Sequence, residues 1–299
     1  MSRSNILLGS ILAGSAGIGM AANSTAAKLA YEGGSNPLTY LTLRTALAAI
    51  LVFTIIVLTR RSLRMPLRRR LAAFGIGAFL ALYSYGLLAA IEHIPVALAV
   101  LIFYTFPLLT SAYTWVSGRE RPNVMSVAAL LVAFVGLALA LDIQHDHLNL
   151  TGVALATMAA FGVTLVMILN SRLVGTADSY PVTLNMMLAA TILCVLVTFA
   201  LDGYALPETK LGWTSLAIGT SFYAAGIVTI FLAISLAGAV PTALSLNLEP
   251  IASMAFGFLI LSQALTGLQL FGAGLVIAAV LSVRLADIRK PKSSGAVTR

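Results

Sequence analysis

Inside the apolar stretches of this chain only a handful of side chains can exchange a proton or hold a charged group. Glu249 leads them, because it directly precedes Pro250. An ionisable group within a membrane-length apolar run is costly, so it marks a functional position by default. A carboxyl there changes protonation during a working cycle, pairs with the ammonium of a ligand, or braces the bend that the proline makes. The residue types alone leave all three open. Arg44 and Lys28 are the basic counterparts. Both can run their aliphatic stems outward to water; an inward Arg44 would instead pair with a carboxylate, that of the protein or of a substrate.

The aromatic residues form the second group. Tyr83, Tyr85, Phe103, Tyr104, Phe161, Phe222 and Tyr223 fall near the middle of their stretches. A tyrosine at that depth needs a hydrogen-bond partner or water, so these residues border a hydrated cavity or, taken singly, pack in the core. Tyr104 and Asn247 each stand three residues before a proline, Pro107 and Pro250. The expected substrate-binding set is Tyr83, Tyr85, Tyr104, Phe161, Tyr223, Asn247 and Glu249. Pro107 and Pro250 are the expected bends, and Glu249 is also the coupling candidate. Asn23 and Asn170 are polar too but approach the ends of their stretches.

No metal or cofactor is expected. His145 and His147 flank Asp146, but this spacing matches no closed zinc site. Cys194 is the single cysteine, which excludes an intramolecular disulfide and reads as a small buried apolar residue. The chain has no H-E-x-x-H, no G-x-S-x-G and no internal carboxylate pair, so the nucleophile, base or metal set of an enzyme is missing.

The elements that must position these residues follow from composition. The chain is 60% hydrophobic and 9% charged, with mean hydropathy +0.99. A soluble domain of this size needs far more charge to cover its surface, whereas about 20 apolar residues suffice for one helical span. Ten such stretches are legible, at roughly 6–30, 37–59, 71–91, 96–117, 123–141, 150–173, 181–201, 211–234, 241–262 and 267–285. The expectation is an all-α integral membrane fold. The first stretch follows Arg3 and imitates a signal peptide, but its counterpart at 150–173 is internal, so it reads as a retained helix.

The net charge of +8 is a topology signal and not a nucleic-acid surface. Arg60, Arg61, Arg64, Arg68, Arg69 and Arg70 all fall between the second and third stretches. Arg119, Arg121, Arg172 and the basic C-terminus fall on the same side if there are ten spans. Glu32, Glu92, Asp142, Asp146, Asp202 and Glu208 fall opposite, with the basic Lys210. Basic residues mark the cytoplasmic side, so both termini are expected in the cytoplasm, with anionic lipid headgroups as contacts.

The chain also repeats itself. At an offset of 143, Ala90, Ile91, Pro107 and Ala112 fall on Ala233, Ile234, Pro250 and Ala255. Gly9, Ala13, Ala16 and Gly19 fall on Gly152, Ala156, Ala159 and Gly162 at the same offset. Each match is weak alone; the common register carries the argument. With five spans per unit, the second unit must sit upside down relative to the first, an arrangement of many secondary transporters. The units are expected at 1–145 and 146–299. Gly9, Ala13 and Gly17 form a ladder of small residues that lets helices pack closely. Paired prolines inside the spans free backbone carbonyls, which a membrane tolerates only where protein or a wet cavity satisfies them.

These motifs resemble a known family. Pro107, then Glu120 thirteen residues on, then Ala133-Phe134-Val135-Gly136 resembles the second part of an EamA domain, the repeat of the drug/metabolite transporter superfamily. The second copy reads Pro250, Gln263 and Phe271-Gly272-Ala273-Gly274-Leu275-Val276-Ile277. Gln263 departs from the glutamate usual in the family. The resemblance covers nearly the whole chain and is strongest for bacterial ten-span exporters of amino acids, aromatic ones included. It implies a multi-pass protein of the bacterial inner membrane, acting as a monomer by alternating access.

Tyrosines, phenylalanines, an asparagine and one glutamate suit a neutral or zwitterionic small molecule with an apolar part: an amino acid or a related metabolite. A phosphorylated metabolite would want clustered basic residues at mid-depth, and Arg44 is isolated. Other small amphiphilic drugs or metabolites are the alternative substrates. A channel, which needs filter rings built by oligomeric symmetry, and an intramembrane enzyme are weaker readings.

Overall fold

A computed structural model of the chain describes residues 3–116, 128, 131–132, 135–136, 139, 149–174, 179–200, 203–237, 245–246, 248–263 and 266–289. Most of the expected fifth span, Glu120, Asn247 and the histidine loop lie outside the described residues. Every regular element among the described residues is a helix: α1 (Arg3–Glu32), α2 (Pro37–Leu58), α3 (Leu67–His93), α4 (Val96–Phe103), α5 (Phe106–Val116), α6 (Leu150–Val174), α7 (Ser179–Ala200), α8 (Lys210–Ala237), α9 (Leu248–Leu261) and α10 (Gly267–Arg289).

Among the described residues, six helices are long and apolar enough to cross a membrane: Leu7–Glu32, Pro37–Leu58, Leu67–His93, Leu150–Asn170, Tyr180–Ala200 and Lys210–Ile230. Leu248–Leu261 and Gly267–Ala279 are shorter apolar helices. The fourth apolar stretch, read from sequence as one span, is instead two helices, α4 and α5, meeting at Tyr104 and Thr105. Proline explains the break. Pro107 has no N–H for the carbonyl of Phe103, and its ring disfavours helical geometry in the turn before it. Large apolar side chains such as Leu7, Ile11, Phe53, Leu196, Phe199 and Leu259 stand exposed around the bundle, as a lipid-facing surface requires.

Local signals set the helix ends. The Asn36 side chain accepts from Thr39 N at 2.8 Å and starts α2, with Pro37 at the first turn. Pro95 ends α3 at His93 and opens α4.

The closest helix neighbours come from different halves of the chain. Helix α1 packs along α8 and α9, α3 along α6 and α7, and α2 along α7 and α8. Shifting numbers by the offset turns the α1–α8 contact into α6–α3, and α2–α8 into α7–α3. Both partners of each exchange are present. The counterparts α2 and α7 run antiparallel. At one end Asn36 Nδ2 donates to Gly203 O at 2.7 Å, and Ala205 N donates to Thr39 Oγ1 at 3.0 Å. At the other the Arg61 guanidinium lies 4.5 Å over the ring of Tyr180. Midway, Thr191 Oγ1 meets Thr45 Oγ1 at 3.1 Å.

Candidate functional site

The site begins at the broken helix. Tyr104 caps α4, its own N–H bonding Val100 O at 2.9 Å. The break turns its side chain across the molecule to the other half. Its hydroxyl lies 3.1 Å from Leu246 O and 2.7 Å from Glu249 Oε2. Leu246 is four residues before Pro250, so its carbonyl is the one that a proline N–H cannot serve. Tyr104 thus meets both the freed carbonyl and the acid beside it. Tyr104 and Glu249 are buried, at 6% and 8% exposure. Helix α1 closes the floor at Gly17. A Cβ there would come within 3.2 Å of Leu246 O, so only a very small residue lets α1 lie on this bend.

An aromatic group surrounds the junction. Tyr83 of α3 stacks on Phe103 at 6.1 Å between ring centres, and Phe103, Tyr104 and Phe106 meet pairwise at 5.7–5.9 Å. Offset and edge contacts of this kind hold rings in fixed places. Tyr83 reaches this position because Gly162 on α6 leaves room. A Cβ there would lie 2.5 Å from Tyr83 Cβ.

Arg44 enters from α2. It is 4% exposed, with its guanidinium carbon 4.3 Å over the ring of Tyr223 from α8. Its Nε has no hydrogen-bond partner. Tyr83 lies within the electrostatic reach of Tyr223, Arg44 and Glu249, and Glu249 feels Arg44. Arg44 with Tyr223 and Tyr104 with Glu249 are thus two buried polar pairs, drawn from α2, α8, the α4–α5 break and α9, with Tyr83 of α3 half-buried beside the aromatic group.

Two expected site residues sit elsewhere. Phe161 is 58% exposed: Ala159, Ala160 and Val163 supply the inner face of α6, and Phe161 joins Met158 and Leu165 on the outer one. Tyr85 is exposed with Leu82 on the outer face of α3 and lines a lateral hollow of about 260 Å³ among α2, α3 and α7, together with Cys194. Asn247 lies outside the described residues. Pro250 is buried in the first turn of α9, and Pro107 occupies the first turn of α5. Lys28 reaches Glu92 O at 3.3 Å, where a cation suits the carbonyl end of α3. Asn23 accepts from Tyr40 Oη through both its backbone oxygen, at 2.9 Å, and its side-chain oxygen, at 3.2 Å.

Sequence reasoning did not foresee what Gln263 does. Its Oε1 accepts from Val96 N at 3.2 Å, so a residue beyond the end of α9 caps the start of α4. Ser253 was also missed. It lies one turn after Glu249 on the same face, fully buried, with its Oγ unpartnered; the i, i+4 spacing was the available signal.

Comparison with known proteins now places the chain. Residues 7–141 and 150–285 each match the EamA-like transporter family. The chain belongs to that family. The two EamA copies begin 143 residues apart (150 − 7), the offset of the sequence repeat. The threonine/homoserine exporter RhtA of Escherichia coli K12 is 27% identical over 235 residues, 76% of this chain and 75% of the relative. RhtA of Salmonella typhimurium LT2 is 28% identical over 238 residues, 77% of this chain and 76% of its own. An uncharacterized transporter of Synechocystis sp. is 25% identical over 239 residues, 78% of this chain and 71% of its own. One crystal structure superposes with TM-score 0.62 at 20% identity, over 96% of this chain and 100% of the other, a likeness of fold. The EamA chain is thus a multi-pass membrane protein whose family and relatives are transporters.

Proposed function

We propose that this EamA protein exports amino acids or similar small neutral and zwitterionic metabolites across the bacterial inner membrane by alternating access. The observation that carries the reading is the Tyr104–Glu249 contact, which joins the break of α4–α5 to the proline-bearing start of α9 through buried polar groups. The antiparallel packing of the counterparts α2 and α7 supports two inverted units, in which rocking of one against the other exposes a shared site alternately. The two RhtA relatives are threonine/homoserine exporters, which supports export of a small amino acid.

Glu249 serves as the coupling group in this scheme. The Tyr104 hydroxyl has one proton and faces two acceptors, Leu246 O and Glu249. With Glu249 protonated, the acid donates to Tyr104 and Tyr104 donates to Leu246 O, so the freed carbonyl at the bend is satisfied. With Glu249 ionised, Tyr104 turns its proton to the carboxylate and the carbonyl is left without it. Protonation thereby biases the bend, and a ligand or proton shifts only such a differential equilibrium.

A second reading rests on the lateral apolar hollow that holds Tyr85, which fits the apolar end of an amphiphile arriving from the bilayer. Liposomes containing the purified protein, loaded with labelled amino acids or with a labelled amphiphilic dye, separate the two. Efflux of amino acids, faster with an opposing proton gradient, is expected. Dye efflux alone overturns the amino-acid reading.

A further inference from the structure

Among the described residues, Arg44 is a buried cation that no carboxylate pairs with directly. Burying a charge is strongly unfavourable unless it is paired, yet Arg44 sits 4% exposed within α2 with Nε unpartnered. Among the described residues, its electrostatic reach includes Tyr31, Tyr40, Tyr83, Cys194, Tyr223 and Glu249. All but Glu249 are phenols or a thiol. Glu249 is already hydrogen-bonded to Tyr104. The Tyr223 ring covers the flat face of the guanidinium at 4.3 Å. That contact uses the π-face and leaves the N–H edge, whose fork of donors matches a carboxylate.

We propose that Arg44 anchors the carboxylate of the substrate in a two-ended site whose other end, Glu249 with Tyr104, receives the ammonium. The transported class is then a free amino acid, and an amine or an ester of the same shape is excluded. This assignment rests on the exporter reading above and deepens it. An isolated guanidinium suits one carboxylate, where a phosphate would draw on several basic groups. Ser253, with its orphaned Oγ one turn past Glu249, adds an acceptor or donor at the ammonium end. The two ends also set up a competition: the ionised Glu249 that receives an ammonium is the form that a proton removes.

The test is counterflow in proteoliposomes with labelled threonine and labelled leucine, competed by each unlabelled amino acid, its methyl ester and its decarboxylated amine. In the parent protein the free acid should compete at least tenfold better than ester or amine. Loss of a charged hydrogen-bond pair weakens binding by about 10- to 100-fold. Arg44→Gln should therefore bring the free acid down to the level of its ester and leave the ester unchanged. Arg44→Lys keeps the charge without the fork and should fall between, which keeps the test valid if the glutamine variant is not monodisperse. An Arg44→Lys or Arg44→Gln protein that folds and still prefers acid over ester as the parent does overturns the assignment, with the exporter reading intact. A parent protein that carries neither amino acid, or carries ester as well as acid, overturns the substrate class itself.

Discussion

At the scale of single residues, the shared proton of Tyr104 is the decisive detail. Glu249→Gln places a permanent donor against Tyr104 Oη and so imitates the protonated acid. Exchange down a substrate gradient should persist with a weaker apparent affinity, because the ammonium loses its carboxylate, and acceleration by a pH gradient should vanish. A fully pH-responsive Glu249→Gln protein would sink the coupling role; a variant that merely melts earlier with its pH response intact would make Glu249 a brace for the bend. Tyr104→Phe removes the donor from both Leu246 O and Glu249 at once. Leaving buried acceptors unsatisfied destabilises by about 1–3 kcal/mol, so its melting temperature in detergent should drop by several degrees. An unchanged melting temperature would mean water replaces the hydroxyl. In the sequence, depth and the neighbouring proline single out Glu249, while its place three residues before Pro107, matched by Asn247 before Pro250, singles out Tyr104. Phe161 and Tyr85 satisfied depth alone. In a helix that is apolar all round, depth does not say which face meets lipid, and only the packing of Ala159, Ala160 and Gly162 turns Phe161 outward.

At the scale of elements, the break near Pro107 was legible in the sequence and the contacts around the two prolines were not. Pro107 and Pro250 announce freed carbonyls, yet nothing near them in sequence names the donor, because Tyr104 reaches Leu246 from the other half of the chain. The same holds for Gln263, which looked like a departure from the family's glutamate and proves to cap α4 across a separation of 167 residues. An oxygen at that position matters more than its charge. Gln263→Glu retains an acceptor for Val96 N and adds a negative charge at a helix N-terminus, which is favourable. It should fold at least as well as the parent. Gln263→Ala removes the acceptor and should destabilise by about 0.5–2 kcal/mol, the usual worth of a cap. Thermal unfolding of the two variants side by side checks this; equal losses would show that packing of the longer side chain, and not its oxygen, is what α4 requires.

At the scale of the whole molecule, the repeat offset told which helices are counterparts, and the structure adds which way they run. Arg61 over Tyr180 puts the end of α2 beside the start of α7, while Thr39 and Asn36 put the start of α2 beside Gly203 and Ala205. Helix α2 has 22 residues, about 33 Å at 1.5 Å per residue, which is the thickness of the hydrocarbon layer. Its two ends therefore belong to opposite faces of the membrane. The arginines from Arg60 to Arg70 follow its C-terminal end, and basic residues mark the cytoplasmic side, so that end is expected in the cytoplasm. Reporters active only in the cytoplasm should work when fused after Arg70 and after Arg299, and one active only in the periplasm should work after Ala205. Signals on one face from Arg70 and Ala205 alike would deny that α2 spans. A periplasmic signal after Arg299 would require an odd number of spans, and two equal inverted units of five could not then exist. Because Tyr104 and Glu249 come from the two EamA copies, that result would also remove the proposed rocking motion, in which their contact opens to each side in turn.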